Sequence, residues 1–162
     1  MFSFGGPEAI FAQRNGMGRI CVYAAIRRTR ESMQEWLLHR AAKDFLREIF
    51  RAWSPNLIDL LNGCDDFVDR PIFSLPSDFG WSYRPGVSLV GDAAHLMPPV
   101  GLGVNLAMQD AAEIAIAITE ARDWQRAIET AEARIRSRAQ AHMREAIPGF
   151  AEWFASTSPF AR

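Results

Sequence analysis

A chain of 162 residues, 49% of them hydrophobic, is long enough for one domain with its own apolar core, which sets disorder aside for most of its length. Its 18 Lys and Arg nearly balance 19 Asp and Glu, so no overall charge draws it toward nucleic acid or an anionic membrane, and an anionic ligand must be bound locally. Cys21 and Cys64 form neither a C-x-x-C pair nor a zinc spacing, and no two of the three histidines have metal-ligand spacing; two reduced, partly buried thiols and no metal site are expected.

The N-terminus has no basic lead followed by an apolar stretch, and nowhere do about 18 apolar residues run uninterrupted, so neither export nor a membrane span is expected and the chain reads as cytoplasmic. Residues 2–26 alternate short apolar runs with turn signals, Gly5-Gly6-Pro7 and Asn15-Gly16. They predict a hairpin or meander, with a type I′ turn at Asn15-Gly16. Over residues 31–53, Leu38, Ala42, Phe45, Ile49 and Trp53 recur at helical spacing with charged residues between them, which predicts one amphipathic helix. Trp36, Phe45, Phe50 and Trp53 then read as core, and His39 lies on the same helix.

Ser54-Pro55 is an N-cap followed by a proline at the first helical position, and Gly63 ends the short helix that Leu57, Ile58, Leu60 and Leu61 define. Residues 71–76 read as a strand penned between prolines. Gly80-Trp81-Ser82-Tyr83-Arg84 resembles a nucleophile elbow up to its last position, where Arg84 replaces the required glycine, so hydrolase chemistry is rejected. Arg27, Arg28 and Arg30 are too narrow a cluster for a nucleic-acid surface.

Arg84-Pro85-Gly86 is a turn, and Val87-Ser88-Leu89-Val90 reads as a buried strand that ends abruptly at Gly91. A helix follows from about Val104 through Thr119. A second starts after Asp123 as N-cap, turns Ala127, Ile128, Ala131 and Ile135 inward and Glu129, Glu132, Arg134, Arg136 and Arg138 outward, and stops before Pro148-Gly149. The apolar tail, with Trp153, Phe154 and Phe160, needs something to pack against.

The chemistry lies in Gly91-Asp92-Ala93-Ala94-His95-Leu96-Met97-Pro98-Pro99-Val100-Gly101-Leu102-Gly103-Val104-Asn105. Gly91 lets the chain leave the strand where a ligand approaches its backbone, and Asp92 presents an acceptor-only carboxylate suited to a sugar hydroxyl. Pro98 and Pro99 stiffen the path, while Gly101 and Gly103 allow close backbone passage. The helix starting near Val104 aims unpaired amides and its positive dipole end at a flat or anionic group.

This segment resembles the second flavin-binding motif of the class A flavoprotein monooxygenases, the aromatic hydroxylases that include the tetracycline-inactivating enzymes. Phe11-Ala12-Gln13-Arg14-Asn15-Gly16, Arg70-Pro71-Ile72-Phe73-Ser74-Leu75-Pro76 and Arg84-Pro85-Gly86-Val87 extend the likeness over essentially the whole chain. The resemblance implies an α/β fold: a partial substrate-binding domain over residues 1–86, with a β-hairpin or sheet piece, and the C-terminal part of an FAD-binding domain over residues 87–162, with the Gly-Asp strand and C-terminal helices. It implies FAD as cofactor, NADPH or NADH as reductant, O2 as co-substrate, and an aromatic or polycyclic small molecule as substrate.

By the same resemblance Gly91 and Asp92 approach the ribityl or ribose hydroxyls, Pro99 and Gly101 line the isoalloxazine edge, Gly103 is a further cofactor-binding position, and the amides of Val104 and Asn105 reach the pyrimidine end. His95 is implied as structural, and Gln13 and Arg14 fall on a substrate-domain strand as candidate substrate contacts. The family's N-terminal Rossmann βαβ unit with G-x-G-x-x-G has no counterpart here, since Gly101-Leu102-Gly103 is followed by Leu106 at the third glycine position. Two expectations stay open: a monooxygenase present as its C-terminal portion, or a non-catalytic truncated or split fragment that binds flavin only with a separate N-terminal half or as a homo-oligomer.

Overall fold

The computed structural model describes residues 2–39 and 41–155. Arg40 and Phe160 lie outside the described residues, as do the side chains of Trp36, Leu38 and His39. The chain divides into two compact units, Met1–Arg70 with Glu152–Arg162, and Pro71–Ala151.

The first unit starts with an antiparallel sheet in the order β1 (Phe2–Gly5), β2 (Glu8–Arg14), β3 (Ile20–Ile26). The expected meander is present, with Gly6 at φ 75° and Pro7 closing its first turn. The second turn departs from the type I′ expectation. Asn15 is extended at φ −104°, and the chain reverses through a 3-10 turn, Gly16–Gly18, with Met17 at φ 57°. Asn15 N donates to Arg19 O at 2.8 Å, so the loop takes five residues and the positive φ angles move past the Asn-Gly pair to Met17 and Gly18.

Alternation places Ile10 of β2 on one face with its neighbours Val22, Ala24 and Ile26, and this face packs on α2 (Ala42–Ile49) and α3 (Pro55–Asn62) through Phe45, Leu46, Leu57 and Leu61. Phe50 is fully buried at the centre and meets Trp53 edge-on at 5.0 Å. Each such buried side chain contributes about 1.5–3 kcal/mol. The single helix expected over residues 31–53 is two, α1 (Arg30–His39) and α2, because Ala41 is extended at φ −63°, ψ 139°. The Pro55 start of α3 and its end at Gly63 hold, although Ser54 makes no side-chain cap bond.

In the second unit, residues 71–76 form no strand. Among the described residues the Val87–Val90 segment expected as the Gly-Asp strand carries no ladder either, and its one bridge is Arg84↔Val87 across the Pro85-Gly86 turn, where Gly86 has φ 82°. A strand exists through its neighbours, and among the described residues no neighbouring strand lies beside this segment.

Helix α4 (Asp92–His95) and α5 (Gly103–Glu120) follow, then α6 (Trp124–Trp153). Asp123 caps α6 as expected, its Oδ1 accepting from Arg126 N at 3.1 Å. The helix does not stop at Pro148 but continues through it to Trp153, although proline lacks the donor for the bond to the preceding turn. Two apolar clusters hold α5 and α6 together, one from Met97, Leu106, Met143 and Ala146, the other from Ala117, Ile128 and Ala131. Their order along the chain makes the two helices antiparallel. Between the clusters, on both helices, sit polar side chains.

Candidate flavin-binding site

Gly91 is the pivot. It has φ 57° and ψ −136°, a conformation that side-chain-bearing residues avoid, and a Cβ placed on it would lie 3.0 Å from Ala107 Cβ on α5. Only glycine therefore lets the turn close onto the helix. Asp92 emerges from this turn exposed, and its carboxylate accepts no hydrogen bond from any described residue. It is free for a ligand hydroxyl.

Beyond α4 the chain passes Met97 and Pro98, which are buried, and Pro99, which is exposed. Val100 N donates to Pro98 O at 2.8 Å in a tight turn, and Gly101 follows at φ 89°. No atom lies within 4 Å of a Cβ built on Gly101 or Gly103, so the face past the proline pair is open. The first internal bond of α5 is Leu106 N to Leu102 O at 3.1 Å. Leu102 offers no side-chain cap and no acidic residue occupies the first turn, so among the described residues the amides of Gly103, Val104 and Asn105 at the positive helix end have no acceptor. Val104 and Asn105 are exposed. A neutral carboxylate-poor helix start and an unpartnered aspartate are the donor and acceptor that a flavin's electron-rich ring end and its polyol tail require, so these residues fit FAD.

What holds the turn is a buried polar group that the sequence reading missed. Asp110, on the inward face of α5, is 1% exposed. Its Oδ2 accepts from Gly91 N at 3.1 Å and from His95 Nε2 at 2.6 Å, and its Oδ1 from Arg138 Nη2 of α6 at 2.9 Å. Arg138 Nη1 reaches Glu113 Oε1 at 2.7 Å. Burial works against the Arg138 charge, but the hydrogen bonds and charges of Asp110 and Glu113 outweigh it and hold the guanidinium above its ordinary value. Since the Asp110 carboxylate only accepts, it assigns the Nε2–H form to His95 and leaves Nδ1, buried and without a partner among the described residues.

His95 is thus buried against Asp110, while Arg138, expected to face water, is drawn inward. Glu132 is a second correction: it is 1% exposed and accepts from Trp81 Nε1 at 3.2 Å. Arg136, also expected outside, lies over the Trp81 ring at 5.2 Å and donates to Trp81 O at 2.6 Å. A signal for Asp110 was present: Leu106, Asp110 and Ala117 fall on one helical face, and a carboxylate among core positions demands partners.

Gln13 and Arg14 are exposed at the end of β2, on opposite faces of the sheet, Gln13 on the face that carries the Phe11–Tyr23 stack. They belong to the first unit. Among the described residues no group of three or more His, Cys, Asp or Glu is placed to hold a metal ion, and no helix is long and apolar enough to cross a membrane.

Comparison with known proteins first gives the class. Residues 76–146, which hold the Gly91 turn, α4, α5 and most of α6, match the family described as FAD binding domain. Particular relatives follow. The chain is 35% identical over 83 residues to chloroplastic zeaxanthin epoxidase of Oryza sativa subsp. japonica, covering 49% of this chain and 12% of that protein. It is 34% identical over 91 residues to the chloroplastic zeaxanthin epoxidase of Arabidopsis thaliana, covering 54% and 13%. It is 35% identical over 77 residues to monooxygenase asqM of Emericella nidulans, covering 42% and 17%. The alignments span less than a fifth of the length of these curated relatives.

Proposed function

We propose that this chain is the C-terminal portion of a class A FAD-dependent monooxygenase that uses NADPH or NADH and O2 to hydroxylate an aromatic or polycyclic small molecule. The observation that supports it most is the Gly91 turn: closed against α5, it presents an unpartnered Asp92 carboxylate ahead of an uncapped 18-residue helix. FAD, when bound, supplies the redox chemistry; the residues supply its binding and electrostatics. Asp92 accepts from the ribityl or ribose hydroxyls, and Gly91 permits that approach. Pro99, Gly101 and Gly103 flank the ring edge, and the amides of Val104 and Asn105 face the end where negative charge gathers on reduction. Donors fixed in advance at such a point are worth a few kcal/mol in a water-excluded site, on the order of 3.

The test is FAD titration of the purified chain, read by flavin absorbance and fluorescence, followed by oxidation of NADPH and NADH with a substrate panel. The panel includes zeaxanthin beside aromatic and polycyclic compounds, since the plant relatives are named for its epoxidation. Asp92→Asn is expected to weaken FAD about tenfold, as loss of a charge-assisted hydrogen bond does. Equal affinity of the two proteins overturns the assignment of Asp92.

A second reading, a fragment that is not catalytic alone and binds flavin only with a complementary half or as a homo-oligomer, is favoured by the outer face of α5. Val104, Met108, Ala111, Ala115 and Ile118 are all exposed and lie within one narrow stripe, about 21 Å long at the rise of an α-helix. Val104 is 74% and Met108 67% exposed. A continuous apolar stripe of this kind ordinarily meets a partner surface. Concentration-dependent association, relieved by Met108→Glu, is the outcome this reading predicts in size-exclusion chromatography with light scattering; a monomer that binds FAD and oxidises NADPH removes it.

A further inference from the structure

The single carboxylate oxygen Asp110 Oδ2 bonds both ends of the motif, the amide of Gly91 at 3.1 Å and the imidazole of His95 at 2.6 Å. Asp92 lies between them. The other oxygen is pinned by Arg138, whose second nitrogen is fixed on Glu113, one turn along α5 from Asp110. The carboxylate therefore has no freedom to turn. Asp110 also belongs to the same rigid helix as Gly103, Val104 and Asn105, about 10 Å, or two turns, from its start. One side chain thus ties the turn that presents Asp92 to the helix that presents the amides.

The arrangement is costly. His95 and Asp110 are each 1% exposed, and an apolar pair of similar volume in their place is often as stable or more so. What an apolar pair lacks is direction: packing would not orient the Gly91 peptide at a φ of 57°. We propose that Asp110 is a positioning residue of the flavin site, which acts through Gly91 and His95 to set where Asp92 stands relative to the first turn of α5. This rests on the reading that Asp92 and the α5 amides face FAD.

Two arms test it on the full chain. In the first, no flavin is needed: 15N NMR of the wild-type protein shows the His95 hydrogen on Nε2 and slow exchange of the Gly91 amide, and D110N raises Gly91 exchange by at least about tenfold relative to amides within α5. A hydrogen on Nδ1 alone, or a Gly91 amide unprotected in the wild type or unchanged in D110N, overturns the proposal. In the second arm, FAD affinity is measured for wild type, D92N, D110N and the double variant. A positioning role makes the losses non-additive: D92N costs about tenfold in the wild type and under about twofold in D110N.

The same D92N factor in both backgrounds means that Asp110 contributes only stability, which also overturns the proposal. If D110N does not fold, R138Q keeps the carboxylate while freeing it to rotate, and the cycle is run with that variant. A wild-type chain that takes up no FAD sinks the functional reading; the exchange arm then decides the role of Asp110 by itself.

Discussion

His95 Nε2 lies 2.6 Å from Asp110 Oδ2, with both side chains 1% exposed, so an imidazole and a carboxylate share one bond between two apolar clusters whose buried residues are Met, Leu, Ile and Ala. The charge of that carboxylate is matched by Arg138, which remains 20% exposed. Arg138 and its second partner Glu113, 23% exposed, are the groups through which the buried network reaches solvent.

Arg138→Met leaves Asp110 buried without its cation and is expected to destabilise the chain by about 2–4 kcal/mol, the lower part of the range reflecting the partial exposure of the arginine. Because the folded state holds the Arg138 proton above its ordinary value, its contribution is complete below that value and is lost only in strongly alkaline solution. The difference between variant and wild type in urea unfolding should therefore hold steady across neutral and mildly alkaline pH. Arg138→Lys keeps the charge but cannot fork between Asp110 and Glu113, so it falls between the two. A variant as stable as wild type would show that the network carries no net weight in folding.

Gly91→Ala combines two penalties, a positive φ and a Cβ at 3.0 Å from Ala107 Cβ. Together they are expected to cost about 2–4 kcal/mol. Repeating the substitution in an Ala107→Gly background removes the contact but not the backbone strain. The effect of Gly91→Ala on thermal unfolding should shrink there without vanishing. An unchanged effect would assign the whole cost to the backbone.

Burial pushes the Cys64 thiol above its ordinary value of 9.0, with Lys43 opposing and the charges of Asp65 and Cys21 assisting. Its Sγ donates to Leu60 O at 3.3 Å, a bond that only the protonated thiol makes. The folded chain thus binds this proton more tightly than the unfolded chain. The contribution is complete below the unfolded value and is lost as pH rises past it through the higher folded value. As pH rises past the ordinary thiol value of 9.0 the wild type should lose more stability than Cys64→Ser, which keeps a donor but does not ionise. Parallel pH profiles of the two proteins would refute this.

Much of the local structure was legible because its causes are local. The Pro85-Gly86 turn, the Asp123 cap and the Pro55 start of α3 each follow from the conformational limits of one or two residues. The Gly91 turn was legible for the same reason. Asp110 and Arg138 were not, since their partners are 15 to 28 residues away in sequence and only the packing of α5 against the Gly91 turn, α4 and α6 brings them together. Helical periodicity placed Arg138 and Glu132 outside by residue type alone, whereas both stand beside inward positions, next to Ala139 and Ala131. The Val87–Val90 strand failed for a related reason: β-branched residues favour extended chain, but a ladder needs a neighbour that composition does not supply.

Glu132 gives the sharpest test of how polar burial is tolerated here. Its Oε2 accepts from Trp81 Nε1 at 3.2 Å, while its Oε1 is buried and has no partner among the described residues. Trp81→Phe removes the donor and is expected to cost about 1–3 kcal/mol, since it strands a buried carboxylate as well as shrinking a ring that Arg136 covers. Trp81→Phe with Glu132→Met removes both ends of the hydrogen bond and replaces the carboxylate with an unbranched apolar chain at a buried position. By the asymmetry between breaking a buried polar pair and deleting it, the double variant should unfold at higher urea than Trp81→Phe alone. If the double variant is the less stable of the two, Glu132 has a further partner that stabilises it, and the carboxylate is being held by more than the tryptophan.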